Sequence, residues 1–210
     1  MTTYTRIEAE EIHKNFEYYM KIASYIKDPV RNREVVKFIE KYGEKICLAP
    51  DTTNINYGHA YPGGLVKNCL QIFDQMHYLN KNLKQFTSLE KPVSQDSIII
   101  VSLLHSIGKI GDMNTDYYID QKSTWHNEKL GEYYLINTSN IEFMSIQMRS
   151  LFLLHSNGVP LQEDEYTTIY LSNKNNKEIE YYSGHENNLI ILMRIAKDLL
   201  HLKSTTYLST

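Results

Sequence analysis

The chain contains little cysteine, no long apolar run and no large excess of charge of one sign. Its two cysteines, Cys47 and Cys69, lie far apart and have neither the paired spacing of a zinc site nor the density of a disulfide framework. No apolar stretch approaches the roughly 20 residues of a membrane span, and the first residues lack the apolar core of a signal peptide. We therefore expect a cytoplasmic protein with no membrane association.

The net charge limits the possible binding partners, and the chain length limits the number of domains. A formal net charge of −3 argues against broad electrostatic binding to DNA or RNA backbones. With 210 residues, of which 42% are hydrophobic, the chain can bury one sizeable core. We expect one domain over residues 1–210, with N-terminal helices at 7–47 and a core at about 57–203.

Apolar residues recur at close to the helical repeat along most of the chain, which predicts an all-α fold. Asp28 can cap the second helix with its carboxylate, and Pro29 fits the first turn of that helix. The β-branched run at 98–104 is compatible with a strand as well as a helix on periodicity alone. The polar segment at 172–187 is expected to be a loop or a small hairpin. The predicted helices span residues 7–26, 28–43, 64–82, 94–108, 125–135, 141–155, 163–171 and 188–202.

Two segments are predicted to be long loops. Residues 48–63 have no apolar period and are rich in proline, asparagine and glycine, and long loops in compact domains are often functional. This loop leads directly into the helix that carries Asn68, so we expect it to border the functional cleft. Residues 111–123, rich in Asp, Asn and Tyr, form the second predicted loop.

Three segments carry a motif that spans more than one helix. The first is His-Ala-Tyr-Pro-Gly-Gly-Leu-Val-Lys-Asn-Cys at 59–69, the second is Leu-Leu-His-Ser-Ile-Gly-Lys-Ile at 103–110, and the third is Trp-His-Asn-Glu-Lys-Leu-Gly at 125–131. In order and separation, across roughly 57–135, they resemble the metal-binding elements of the HD phosphohydrolase superfamily. The resemblance implies an HD-like helical bundle, and it favours a helix for the run at 98–104.

The resemblance also implies a set of site residues. HD enzymes hold one or two divalent metals with histidine and aspartate, and an activated water attacks phosphorus. His105, His126 and His155 then become candidate metal ligands, although His155 taken alone is more typical of a structural histidine. Lys109 becomes a candidate to bind the phosphate, or it neutralises the C-terminal end of its helix.

Three positions depart from the superfamily pattern. Asn68 stands where the first histidine ligand belongs, and Ser106 replaces the metal-binding aspartate. Near the C-terminus, an ungapped comparison places Lys197 at the final aspartate and leaves Asp198 one residue out of phase, a rotation of about 100° on a helix. These changes predict a degraded metal site.

Two hypotheses of function follow. In the first, the chain is an HD-like pseudoenzyme that binds a nucleotide, another small phosphate or a protein partner, and needs no metal. Its ligand-binding candidates are Lys109, Asn68, Ser106 and Tyr118, the last because a tyrosine can stack on a base.

In the second hypothesis, the chain is an active phosphohydrolase of nucleotides or nucleic acid ends. It would hold a single divalent ion (Mn, Mg, Zn or Fe) with His105, His126, His155 and Asp198, while Lys109 steadies the phosphate.

Overall fold

Helices make up most of the chain in the computed structural model, which describes residues 9–82, 93–139, 144–172 and 186–206. One small antiparallel hairpin of two strands accompanies them. The predicted mainly helical class is confirmed. The loop or hairpin predicted at 172–187 falls mostly on residues outside the described ranges.

The described elements follow the predicted order closely. In chain order they are α1 (Ala9–Ala23), α2 (Pro29–Lys41), α3 (Gly43–Leu48), a 3-10 turn (Ile55–Tyr57), α4 (Gly64–Asn82), α5 (Gln95–Leu104), a 3-10 turn (Ile107–Ile110), β1 (Tyr118–Asp120), a π-helical turn (His126–Leu130), β2 (Tyr134–Ile136), α6 (Ile146–Ser156), α7 (Glu163–Tyr170) and α8 (Asn188–Thr206). Across the described ranges, no helix is both long and apolar enough to cross a bilayer.

The helix predicted at 125–135 ends early. Thr124 and Trp125 are helical and continue into the π-helical turn at His126–Leu130, and Gly131 ends the helix in the left-handed region with a φ of 69°. The chain then enters β2, which pairs antiparallel with β1, so that Ile119 lies opposite Leu135. Strand β1 lies inside the segment 111–123 that was predicted to be a loop.

Helix α5 lies at the centre of the bundle. All of its residues from Ser97 to Leu104 are buried, and it packs against α1, α4, α7 and α8. A helix covered on every side needs no polar face, which explains why its sequence has no helical periodicity. The hydroxyl of Tyr19 on α1 donates a hydrogen bond to the Leu103 carbonyl at 2.7 Å and fixes one of these contacts.

Asp96 and Glu165 hold the N-terminal helices to the rest of the fold. Asp28 caps α2, as predicted, and Asp96 at the start of α5 accepts hydrogen bonds from the backbone N–H groups of Lys27 and Asp28. Deeper in the bundle, Arg31 on α2 forms an ion pair with Glu165 on α7, whose side chain is fully buried. Glu165 also accepts from the Gln162 backbone in a capping box, so it serves the structure twice.

Gly108 allows α6 to lie directly against the 3-10 turn after α5. Its N–H donates to the Ser150 hydroxyl at 2.9 Å, and that hydroxyl donates in turn to the Ile146 carbonyl at 2.8 Å. A Cβ atom added to Gly108 would lie 2.5 Å from the Ile146 oxygen. The close approach of α6 therefore requires glycine at this position.

Replacing Gly108 by alanine is expected to destabilise the protein by about 2 kcal/mol or more, because α6 must move away from the turn. Gly43→Ala is the matched control, since its added Cβ would meet Phe16 at an ordinary 3.5 Å. Urea unfolding followed by circular dichroism measures both changes. Equal midpoints for Gly108→Ala and the unmodified protein would contradict the role assigned to this glycine.

Candidate functional site

A cavity of about 620 Å³ opens between the loop at 48–63, α4, the end of α5 and α8, and we refer to it as the cleft. The loop at 48–63 contributes to its wall, beside the helix that carries Asn68. The cleft is lined by Asp51, Tyr57, Gly58, His59, Asn68, Gln71, Ile72, His105, Ser106, Lys109, Lys197, Leu200 and His201.

The carboxylate of Asp51 is the centre of the polar contacts in the cleft. Its Oδ1 accepts from the Lys109 ammonium at 2.5 Å and from the Asn68 side-chain amide at 3.0 Å. The side chains of Asp51 and Lys109 are each only 13% exposed, so their attraction is weakly screened by solvent. Asn68 thus acts here as a hydrogen-bond donor to a carboxylate.

Backbone contacts hold Asp51 at the mouth of the cleft. Its N–H donates to the His59 carbonyl at 3.0 Å, and its carbonyl accepts from the Tyr118 hydroxyl at 3.3 Å. Gly64 makes this arrangement fit, because a Cβ there would lie 2.1 Å from the His59 oxygen. The glycine pair of the first motif therefore serves close packing of the loop on the start of α4.

His105 is buried, with 1% of its surface exposed. Its Nδ1 lies 3.1 Å from the Ser102 carbonyl, which can only accept, so Nδ1 carries the proton and Nε2 is an unprotonated acceptor. Within the described residues, this buried Nε2 has no hydrogen-bond partner. Burial holds the pKa of His105 well below its ordinary value, and the charges of Lys197 and Lys109 lower that pKa further.

His59 is already engaged on both sides of its ring. The Tyr61 hydroxyl lies 2.8 Å from Nδ1, and the Gln71 side-chain oxygen lies 2.9 Å from Nε2. This histidine shapes the wall of the cleft, but its ring nitrogens are occupied.

The structure brings most of the predicted ligand-binding residues together. Asn68, Ser106 and Lys109 line the cleft beside His105. At the C-terminal helix, Lys197 lines it and donates to the Ser172 carbonyl at 2.8 Å, whereas Asp198 is not among the lining residues.

Tyr118 is not among the residues that line the cleft. It contributes to a neighbouring cavity of about 470 Å³, together with Tyr117 and Tyr134, and Lys109 borders both cavities. Burial, with the nearby Asp51 charge, raises the pKa of the Tyr118 hydroxyl, which therefore stays protonated as a donor.

The three histidines predicted as metal ligands do not form one site. His126 contacts the Ser123 hydroxyl at 2.8 Å in the π-helical turn, and His155 is exposed near the end of α6. In the described ranges, no group of three His, Cys, Asp or Glu side chains is arranged to hold a metal ion. His126 lies apart from His105 because its segment connects the two strands of the hairpin, where a helix of the bundle was expected.

Asp51 is the site residue that sequence reasoning did not assign. It is the only acidic residue in the loop at 48–63. A single carboxylate in a loop that is expected to border the cleft is the sequence feature that could have identified Asp51 as a site residue.

Cys69 is excluded as a nucleophile. It follows Asn68 on α4, and burial is the main cause that raises the pKa of its thiol to about 12, with a smaller contribution from the Asp51 charge. The reactive thiolate is therefore not populated near neutral pH.

No protein-family model matches the chain, and neither a curated protein nor a solved structure matches it. What the cleft binds has to be inferred from its own side chains.

Asp51→Asn is expected to destabilise the fold by about 2 kcal/mol or more, because it leaves the Lys109 ammonium without its buried counter-ion. The matched control is Asp116→Asn. Asp116 also pairs with a lysine, Lys45, at 2.6 Å, but its side chain is 68% exposed, so the loss should stay below about 1 kcal/mol. Chemical unfolding compares the two variants, and equal losses would show that the cleft pair is no more than a surface contact.

His105 should make stability depend on pH. The pKa of His105 in the folded protein lies below the unfolded value of about 6.5. Below pH 6.5 the unfolded chain is therefore protonated at this residue while the folded protein is not. Stability is unaffected above pH 6.5 and falls by up to about 1.4 kcal/mol per pH unit below it. Between pH 7.5 and 5.5 the unmodified protein should lose about 1 kcal/mol more than His105→Gln. Parallel pH curves for the two proteins would refute this.

Proposed function

We propose that this chain is an HD-like protein that binds a nucleotide or another small phosphorylated ligand in the cleft, and that it acts by binding rather than by hydrolysis. The observation that supports the proposal best is the charge of the lining. Two lysines, Lys109 and Lys197, face one carboxylate, that of Asp51. A partly enclosed cavity with an excess of ammonium groups favours an anion.

The same residues disfavour a divalent cation. The superfamily pattern places donors at the positions of Asn68, Ser106 and Lys197. Here the amide of Asn68 donates to Asp51, Ser106 supplies no negative charge, and Lys197 brings a positive one. A metal ion in the cleft would meet two ammonium groups and only one carboxylate, which is already paired, so its binding is electrostatically unfavourable.

A phosphate fits the cleft without changing the fold. A lysine ammonium group carries three donors, and the bond from Lys109 to Asp51 leaves donors for an incoming oxygen. The cavity volume is in the range of small-molecule sites. The tyrosines of the neighbouring cavity offer aromatic faces for a base, as expected for Tyr118.

One observation favours the alternative, a metal-dependent phosphohydrolase. The unprotonated Nε2 of His105 is a suitable zinc or manganese donor. Neither His126 nor Asp198 is among the residues that line the cleft. The metal-dependent alternative therefore requires one of them to move into the cleft and complete the coordination.

Adenosine 5′-monophosphate is expected to bind in the presence of EDTA and to raise the melting temperature. Lys197→Met should weaken binding by about tenfold or more, because one charged contact to the phosphate is lost. Lys122→Met is the control, since Lys122 is exposed and lies outside the cleft. Calorimetric titration measures both affinities.

A stoichiometric divalent ion in the purified protein, together with manganese-dependent hydrolysis that disappears in His105→Ala, would overturn the binding proposal in favour of the enzyme. An affinity for the nucleotide that is insensitive to Lys197→Met would show that the cleft is not the site.

A further inference from the structure

We infer that the ligand carries a free hydroxyl group close to its phosphate, and that His105 selects it by accepting a hydrogen bond from this hydroxyl at Nε2. The ligand class is then a ribonucleoside phosphate or a sugar phosphate with free ring hydroxyls. This inference rests on the proposed function and narrows it.

The protein fixes the proton of His105 on one side of the ring. The hydrogen bond from Nδ1 to the Ser102 carbonyl determines the tautomer, so Nε2 is unprotonated and its lone pair can accept a hydrogen bond. The imidazole is almost completely buried, so it cannot turn this nitrogen to bulk solvent. A buried acceptor left without a donor costs about 1–3 kcal/mol.

The described lining residues do not supply that donor. Two strong donors of the lining are lysines: Lys109 donates to Asp51, and Lys197 donates to the Ser172 carbonyl. Nε2 has no partner among the described residues. His105 lines the cleft, so a ligand bound there can supply the missing donor.

A fully ionised phosphate cannot do this, because its oxygens only accept. Placed against Nε2, it would set two acceptors face to face. The phosphate therefore belongs with Lys109 and Lys197, and a different group of the ligand must face His105. Both lysine charges act on this histidine, so an anion held by them lies near it. In a nucleotide or a sugar phosphate, the ring hydroxyls are donors close to the phosphate, whereas the amino group of a base is more distant.

The test changes the ligand and leaves the protein unmodified. Calorimetric titration in EDTA compares adenosine 5′-monophosphate with its 2′-deoxy and 3′-deoxy forms. We expect at least one deoxy form to bind about tenfold or more weakly, because it leaves Nε2 unpaired. Equal affinities for all three nucleotides would overturn the inference and leave the proposed function intact. Binding of none of them would overturn both.

A pair of variants separates the role of His105 from general packing. His105→Gln keeps a side-chain acceptor, whereas His105→Leu removes it. We expect the leucine variant to bind the ribose and deoxyribose forms with equal affinity, and the glutamine variant to retain part of the preference. If the leucine variant, shown to be folded by circular dichroism, kept the full preference, the hydroxyl would contact another residue and the inference would fail.

Discussion

Contacts from four parts of the fold meet at Asp51. Its carboxylate binds Asn68 on α4 and Lys109 after α5, and its backbone binds the loop at His59 and the hairpin at Tyr118. The loop, the central helix pair and the hairpin are therefore positioned by one residue. In the superfamily that the motifs resemble, carboxylates organise metal ions. Here the carboxylate pairs with the Lys109 ammonium, so that pair is neutral and the excess positive charge of the cleft comes from Lys197.

The helical part of the fold was largely readable from the sequence, for local reasons. Helix α4 begins at Gly64 as expected, because an amphipathic stripe follows a loop of breakers, and α2 begins after the Asp28 cap. The hairpin was not readable. Its strands have three residues each, too few for an alternating pattern to be distinguished from chance, and they pair across the π-helical turn.

The site was readable where its residues lie in a local sequence motif. Asn68, His105, Ser106 and Lys109 sit in two such segments, and the structure places them in one cavity. Asp51 is different, because its bond to Lys109 joins residues 58 positions apart and leaves no local pattern. His126 was misplaced for a different reason: its motif is local, but the direction of its segment is set by the pairing of the two strands on either side of it.

The ion pair between Arg31 and Glu165 has a consequence for the order in which the protein can be made. The two residues are 134 positions apart, so at a synthesis rate of about 5–20 residues per second Glu165 is added roughly 7–27 s after Arg31. During that interval a guanidinium group that is buried in the finished protein has no counter-charge. Helix α2 therefore cannot complete its native packing before α7 has been translated.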